Sequence, residues 1–153
     1  MGSQESIALD FQDILTKCPK SIELLKSWTA DAMQKFQEIL LEQIKEDEKG
    51  LDPILLEGLE PPELPAIDNQ TILDQIKFTL ETPGSLRSLY EFFDFNGVFV
   101  STSFQGVQGS WRWFIFNDKM ELGANSEDSS YINRAQTEAA AFKEAFAILE
   151  GSL

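Results

Sequence analysis

Histidine is missing from all 153 residues, and with it the side chain that most often serves as base or metal ligand near neutral pH. Its absence excludes Ser-His-Asp and Cys-His catalysis and any His-ligated metal. Positive charge is scarce as well. Twelve Lys+Arg stand against 26 Asp+Glu, a net charge of −14, which excludes the basic footprint of a nucleic-acid-binding domain. The one cysteine, Cys18, has no partner for an internal disulfide, so a reducing compartment and a cytoplasmic location are expected. No run of about 18 apolar residues is available to cross a bilayer. Met1-Gly2-Ser3-Gln4 has neither the cationic nor the apolar part of a signal peptide. What is present suffices for a core: 42% of residues are hydrophobic and 11% aromatic. A single domain over 1–153 is the natural size for such a chain.

The helical region spans residues 5–49. Ile7, Phe11, Ile14, Leu15 and Cys18 recur at helical spacing, and Pro19 interrupts them because proline disfavours helical geometry in the residue before it. Ser21 is the expected N-cap of a second helix from Ile22 to Lys49, with Gly50 just past its end. Ile22, Leu25, Ala32, Phe36 and Ile39 share one stripe, flanked by Leu24, Trp28, Leu40, Leu41 and Ile44. At about 1.5 Å per residue the helix reaches roughly 40 Å. That is long for this domain, and its far end is expected to project or to pack on a second copy or a partner.

Residues 50–69 form an acidic, Pro-rich connecting segment. Between 46 and 68, eight acids and one base give −7, half of the net charge. The same stretch holds Pro53, Pro61, Pro62 and Pro65, with Ile54, Leu55, Leu56, Leu59, Leu64 and Ile67 interleaved. These apolar residues argue against a merely solvated linker.

Residues 70–153 carry two helices, a β-meander and a C-terminal helix. Gln70–Glu81 reads as helix, and Thr82-Pro83 is expected to open the next, through Phe93. The period then changes to two. Strands are expected over 98–104, 111–116 and 119–122, with Asn117-Asp118 as a tight turn. Asn133 with Gln136 forms a capping-box pattern for the last helix, whose stripe is Ala135, Ala139, Phe142, Phe146 and Leu149 and whose end is Gly151. The fold class is therefore α+β: a helical N-terminal half, a three-stranded antiparallel meander, and a C-terminal helix packed on the sheet.

Chemistry-bearing groups are few. Cys18 lies beside Lys17 but at core spacing, so a buried structural thiol is favoured over a reactive one. Glu46-Asp47-Glu48 and Glu127-Asp128 are oxygen-rich but lack the spacing of a calcium loop. No cofactor, metal site or catalytic residue is expected. Double-stranded-RNA-binding domains share the order of three strands and a helix, but they need a lysine cluster where this chain has only Arg134.

Two features point to binding instead. On strand 111–116, Arg112, Phe114 and Phe116 share the face opposite Trp111, Trp113 and Ile115. That face is either a second buried side or an exposed aromatic-plus-Arg patch. The acidic strip, Glu46, Asp47, Glu48, Asp52, Glu57, Glu60 and Glu63, suits docking on a basic partner protein, with carboxylates standing in for phosphates. In size, charge and lack of catalytic groups the chain is similar to the small acidic inhibitors or immunity proteins of bacteria and their phages. A non-enzymatic partner-binding role, with no direct nucleic acid and no membrane, is the first expectation. The alternative is an assembly or chaperone-like subunit, including a homodimer, that uses the long helix and the aromatic sheet.

Overall fold

The computed structural model describes residues 7–50, 64, 66–106, 109–126 and 131–153. Helix α1 (Phe11–Lys17) starts at Asp10, whose carboxylate accepts the Asp13 N–H at 3.1 Å. Cys18 breaks the helical path at φ −130°, ψ 57°, and Pro19 stands first in α2 (Pro19–Glu48). Its fixed φ suits that position, and its missing N–H would have had no partner there. The expected N-cap at Ser21 is thereby corrected. Ser21 lies inside the helix, fully buried, and donates its N–H (2.9 Å) and hydroxyl (3.1 Å) to Glu150 from the other end of the chain. Glu150 also accepts the Lys20 N–H at 3.3 Å, so it satisfies two first-turn donors of a helix that has no local side-chain cap.

Helix α3 (Asn69–Glu81) is capped by Asp68, which accepts the Thr71 N–H at 2.8 Å. Thr82 closes α3 rather than opening a helix. Gly84 at φ 87° forces a turn before a 3-10 segment (Ser85–Ser88) and α4 (Leu89–Phe95). Gly97 at φ 76° turns the chain into the sheet.

Strands β1 (Phe99–Gln105), β2 (Ser110–Phe116) and β3 (Leu122–Asn125) form one antiparallel sheet in the order β1-β2-β3. The third strand lies later than its expected 119–122. The Asn117 side-chain oxygen accepts the N–H groups of Lys119 and Glu121, both at 2.9 Å, and holds 117–121 as a turn with Met120 at φ 62°. Helix α5 (Arg134–Ser152) begins at Asn133, which accepts the Gln136 N–H at 2.9 Å. The Gln136 side chain returns to the Ile132 N–H rather than to Asn133, and the helix continues through Gly151 to Ser152.

The α+β class holds. Helix α5 crosses the sheet face that carries Trp113 and Ile115, both buried. Phe142 and Phe146 of α5 meet Phe93 of α4 at 5.7 and 4.9 Å between ring centres, all three fully buried. Ile22 and Leu25 of α2 and Ile76 and Leu80 of α3 complete this core. Within it Glu138 is 3% exposed and accepts from Tyr90 Oη (2.7 Å) and Arg87 Nε (3.1 Å), with Arg134 Nε at 3.7 Å. A buried carboxylate persists only when paired in this way.

Candidate functional site

Helix lengths create the site. Thirty residues give α2 a length of about 45 Å, whereas the thirteen of α3 give about 20 Å. Helix α3 and the body therefore cover only the first part of α2: Ser21, Ile22 and Leu25 are its buried residues. Among the described residues the remainder of the α2 stripe stays uncovered. Phe36 is 60% and Ile39 65% exposed, and Ala32 is exposed as well.

Between α2 and α3 lies a groove of about 630 Å³, which Ala32 and Phe36 line and Ile39 does not. Trp28, Ala32, Met33, Phe36 and Leu40 of α2 form one wall, and Thr71, Gln75 and Thr79 of α3 the other. Buried Leu25, Ile76 and Leu89 lie at its base, and Leu64, Ala66 and Ile67 also line it. None of the described lining residues is charged. Trp28 is held by edge contact with buried Phe92 at 6.0 Å and by exposed Phe95 at 5.4 Å between ring centres. The stripe continues by helical steps from Phe36 through Leu40 and Gln43 to Asp47.

The acidic residues expected at a partner site divide accordingly. Glu46 and Asp47 are exposed and Glu48 half-buried at the end of α2. Lys49 pairs with Glu46 at 2.8 Å, and Gln43 donates to Asp47 at 3.1 Å. Such exposed pairs hold little energy, so these carboxylates remain available to a stronger cationic partner. Asp52, Glu57, Glu60 and Glu63 lie outside the described residues. Asp68 is committed to capping α3, and its carboxyl is held below the usual range first by the Thr71 N–H and then by the Thr71 hydroxyl.

Arg112 and Phe114 sit elsewhere. They face away from α5 on β2 and are half-buried, neither part of a second core nor freely exposed. Helix α2 packs on α1, α3 and α5, while β2 packs on β1, β3 and α5, so the two sets of expected residues belong to different surfaces. Arg112 Nε and Trp113 Nε1 are buried without a hydrogen-bond partner among the described residues.

Cys18 is buried, and its thiol is pushed up first by burial and then by Glu150 and Asp13, against Lys17. It is therefore held as the poorly nucleophilic thiol, as its core spacing implied. Among the described residues no three Cys, Asp or Glu side chains converge as a metal site. Glu127 and Asp128 lie outside them. No described helix is long and apolar enough to cross a membrane. No family model, no curated protein and no solved structure matches the chain.

The sequence placed Trp28, Ala32, Phe36 and Leu40 on the apolar stripes of a helix long for this domain, but it did not single them out as a binding site. The missing information was how far α3 extends along α2.

Proposed function

We propose that this chain is a non-enzymatic, acidic protein-binding module whose α2–α3 groove receives the apolar face of a helix from a cationic partner protein. The observation that carries this reading is the uncharged groove on the uncovered stripe of α2, in a chain of net charge −14. Its volume falls in the range of pockets that bury ligand groups, and a straight apolar slot along a helix is the form used to seat an amphipathic helix. Phe36 offers an aromatic anchor of the type that dominates interface energies. Glu46, Asp47 and Glu48 at the end of the same helix, with Asp52, Glu57, Glu60 and Glu63 following in sequence, supply a negative field. Such a field speeds encounter with a cationic partner and disfavours anionic ones. In biological terms this is the behaviour of an inhibitor or immunity-type protein of bacterial or phage origin, with carboxylates occupying a surface that evolved for phosphates.

Exposed Phe36 and Ile39 also favour a second reading, an assembly or chaperone-like subunit whose α2 stripe takes an apolar client. That contact would be insensitive to salt.

The test uses two synthetic amphipathic helical peptides with the same Leu pattern, one with Lys and one with Glu on the polar face. Binding is read from tryptophan fluorescence. The Lys peptide is expected to bind and to weaken as salt rises, and Ala32→Glu, which places a carboxylate in the groove wall, should abolish the signal. Reversing Glu46, Asp47 and Glu48 to Lys should slow association and flatten the salt dependence. Equal binding of the two peptides supports the apolar-client reading. Binding of the Lys peptide that survives Ala32→Glu removes the groove from the mechanism.

A further inference from the structure

We infer that β1 is an interaction edge that pairs with β1 of a second copy of this chain, antiparallel about a two-fold axis at Thr102. The argument starts from backbone direction. On β2 the Trp111 N–H reaches the Tyr131 carbonyl at 2.9 Å, and the Trp113 carbonyl accepts the Ser126 N–H at 3.0 Å. These residues thus spend their backbone groups on the side away from β1. Along an antiparallel strand the direction alternates, so Arg112, Phe114 and Phe116 bond to β1, where Ser103, Ser101 and Phe99 stand opposite them. The N–H and C=O groups of Val100, Thr102 and Phe104 therefore point out of the sheet. No described residue outside the sheet bonds them.

The two edges of this sheet differ in how they are protected. Strand β3 has four residues and an irregular register opposite Ile115 and Phe116. Short length and irregularity are devices that stop an edge from recruiting another strand. Strand β1 has neither. Its seven residues pair regularly with β2, and none is charged or proline.

Its sequence is also self-complementary. With Thr102 on the axis, Thr102 faces Thr102 of the second copy and Val100 faces its Phe104, each pair exchanging two backbone hydrogen bonds. Thr with Thr, and a β-branched residue with an aromatic, are favourable cross-strand pairs. Phe104, now 54% exposed, would be covered. Charge selects a second copy over a cationic protein here. Residues 98–126 hold two acids (Asp118, Glu121) and two bases (Arg112, Lys119), so this end is neutral in a chain of −14. A cationic partner finds no complement there, and two copies meet without local repulsion.

Sedimentation velocity of the full chain over a wide concentration range tests this. The wild type is expected at twice 17.3 kDa, with the dimer strengthened by added salt because salt screens the overall repulsion. Thr102→Pro removes one outward N–H without touching the β1–β2 ladder, and proline is tolerated on an edge. Thr102→Lys places two cations opposite each other on the axis. Both variants should sediment at 17.3 kDa with an unchanged far-ultraviolet circular dichroism spectrum. A wild type that is monomeric at every concentration overturns the proposal. So does a dimer that survives both substitutions, and if Phe36→Ser disperses that dimer, the copies meet through α2 instead.

Discussion

Glu138 and Tyr90 show how single residues hold this fold. The Tyr90 hydroxyl is pushed up to about 12, first by burial, then by its hydrogen bond to Glu138 and by the carboxylate's charge. A tyrosine raised above its ordinary value near 10 contributes stability that is complete below pH 10 or so. That contribution is lost as pH rises through about 12. An absorbance titration should therefore show Tyr90 ionising late, coincident with alkaline unfolding. Tyr90→Phe leaves a buried carboxylate oxygen short of a donor and should cost about 1–3 kcal/mol in denaturant unfolding. Phe142→Ala, at a fully buried position packed on Phe93 and Tyr90, should cost about 3–5 kcal/mol. The two sites were not equally legible. Phe142 and Phe146 were plain from helical spacing, because apolar residues on one stripe have few places to go. Glu138 carried no such signal: Arg134 is an ordinary i,i+4 neighbour, and the hydrogen-bond donors Tyr90 and Arg87 lie 48 and 51 residues away in sequence.

Among the elements, regular periods were readable and their ends were not. Helix α3 and strand β2 follow their apolar patterns closely, whereas α1 starts at Phe11, four residues after Ile7 where its pattern began, because Asp10 caps it there. Boundaries failed where a single contact or a left-handed residue decided them: Gly84 turned an expected helix start into a 3-10 segment, and the Asn117 side chain displaced β3. Ser21 failed as a cap because Glu150, distant in sequence, takes that role. The Asp68 cap gives an element-scale prediction. Its lowered pKa means that its contribution is present above the ordinary carboxylate range and is lost as pH falls through the lowered value. Asp68→Ala should lower the unfolding temperature at neutral pH, and the gap between variant and wild type in thermal unfolding should close in acid. A gap that is constant with pH would show that the carboxylate is not what caps α3.

At the scale of the whole molecule, one helix outruns the described residues that pack against it. The sequence pattern marked the stripe on α2, and its length suggested a projecting end. Which residues were core and which lined a groove depended on the extent of α3, and no local pattern records that. The same mismatch separates stability from binding. Phe36→Ser removes an exposed side chain, so it should shift unfolding by less than about 0.5 kcal/mol while weakening capture of a cationic helix. The net charge of −14 gives the encounter its sign, and the groove gives it a place. The most direct measurement is a titration of the isotope-labelled chain with the Lys-faced amphipathic peptide, followed by amide chemical shifts. Groove occupancy predicts shifts concentrated on 25–40 and 71–79 and absent in Ala32→Glu. Shifts confined to the acidic end of α2, or spread evenly over the surface, would contradict a groove-bound partner and leave only non-specific attraction of charge.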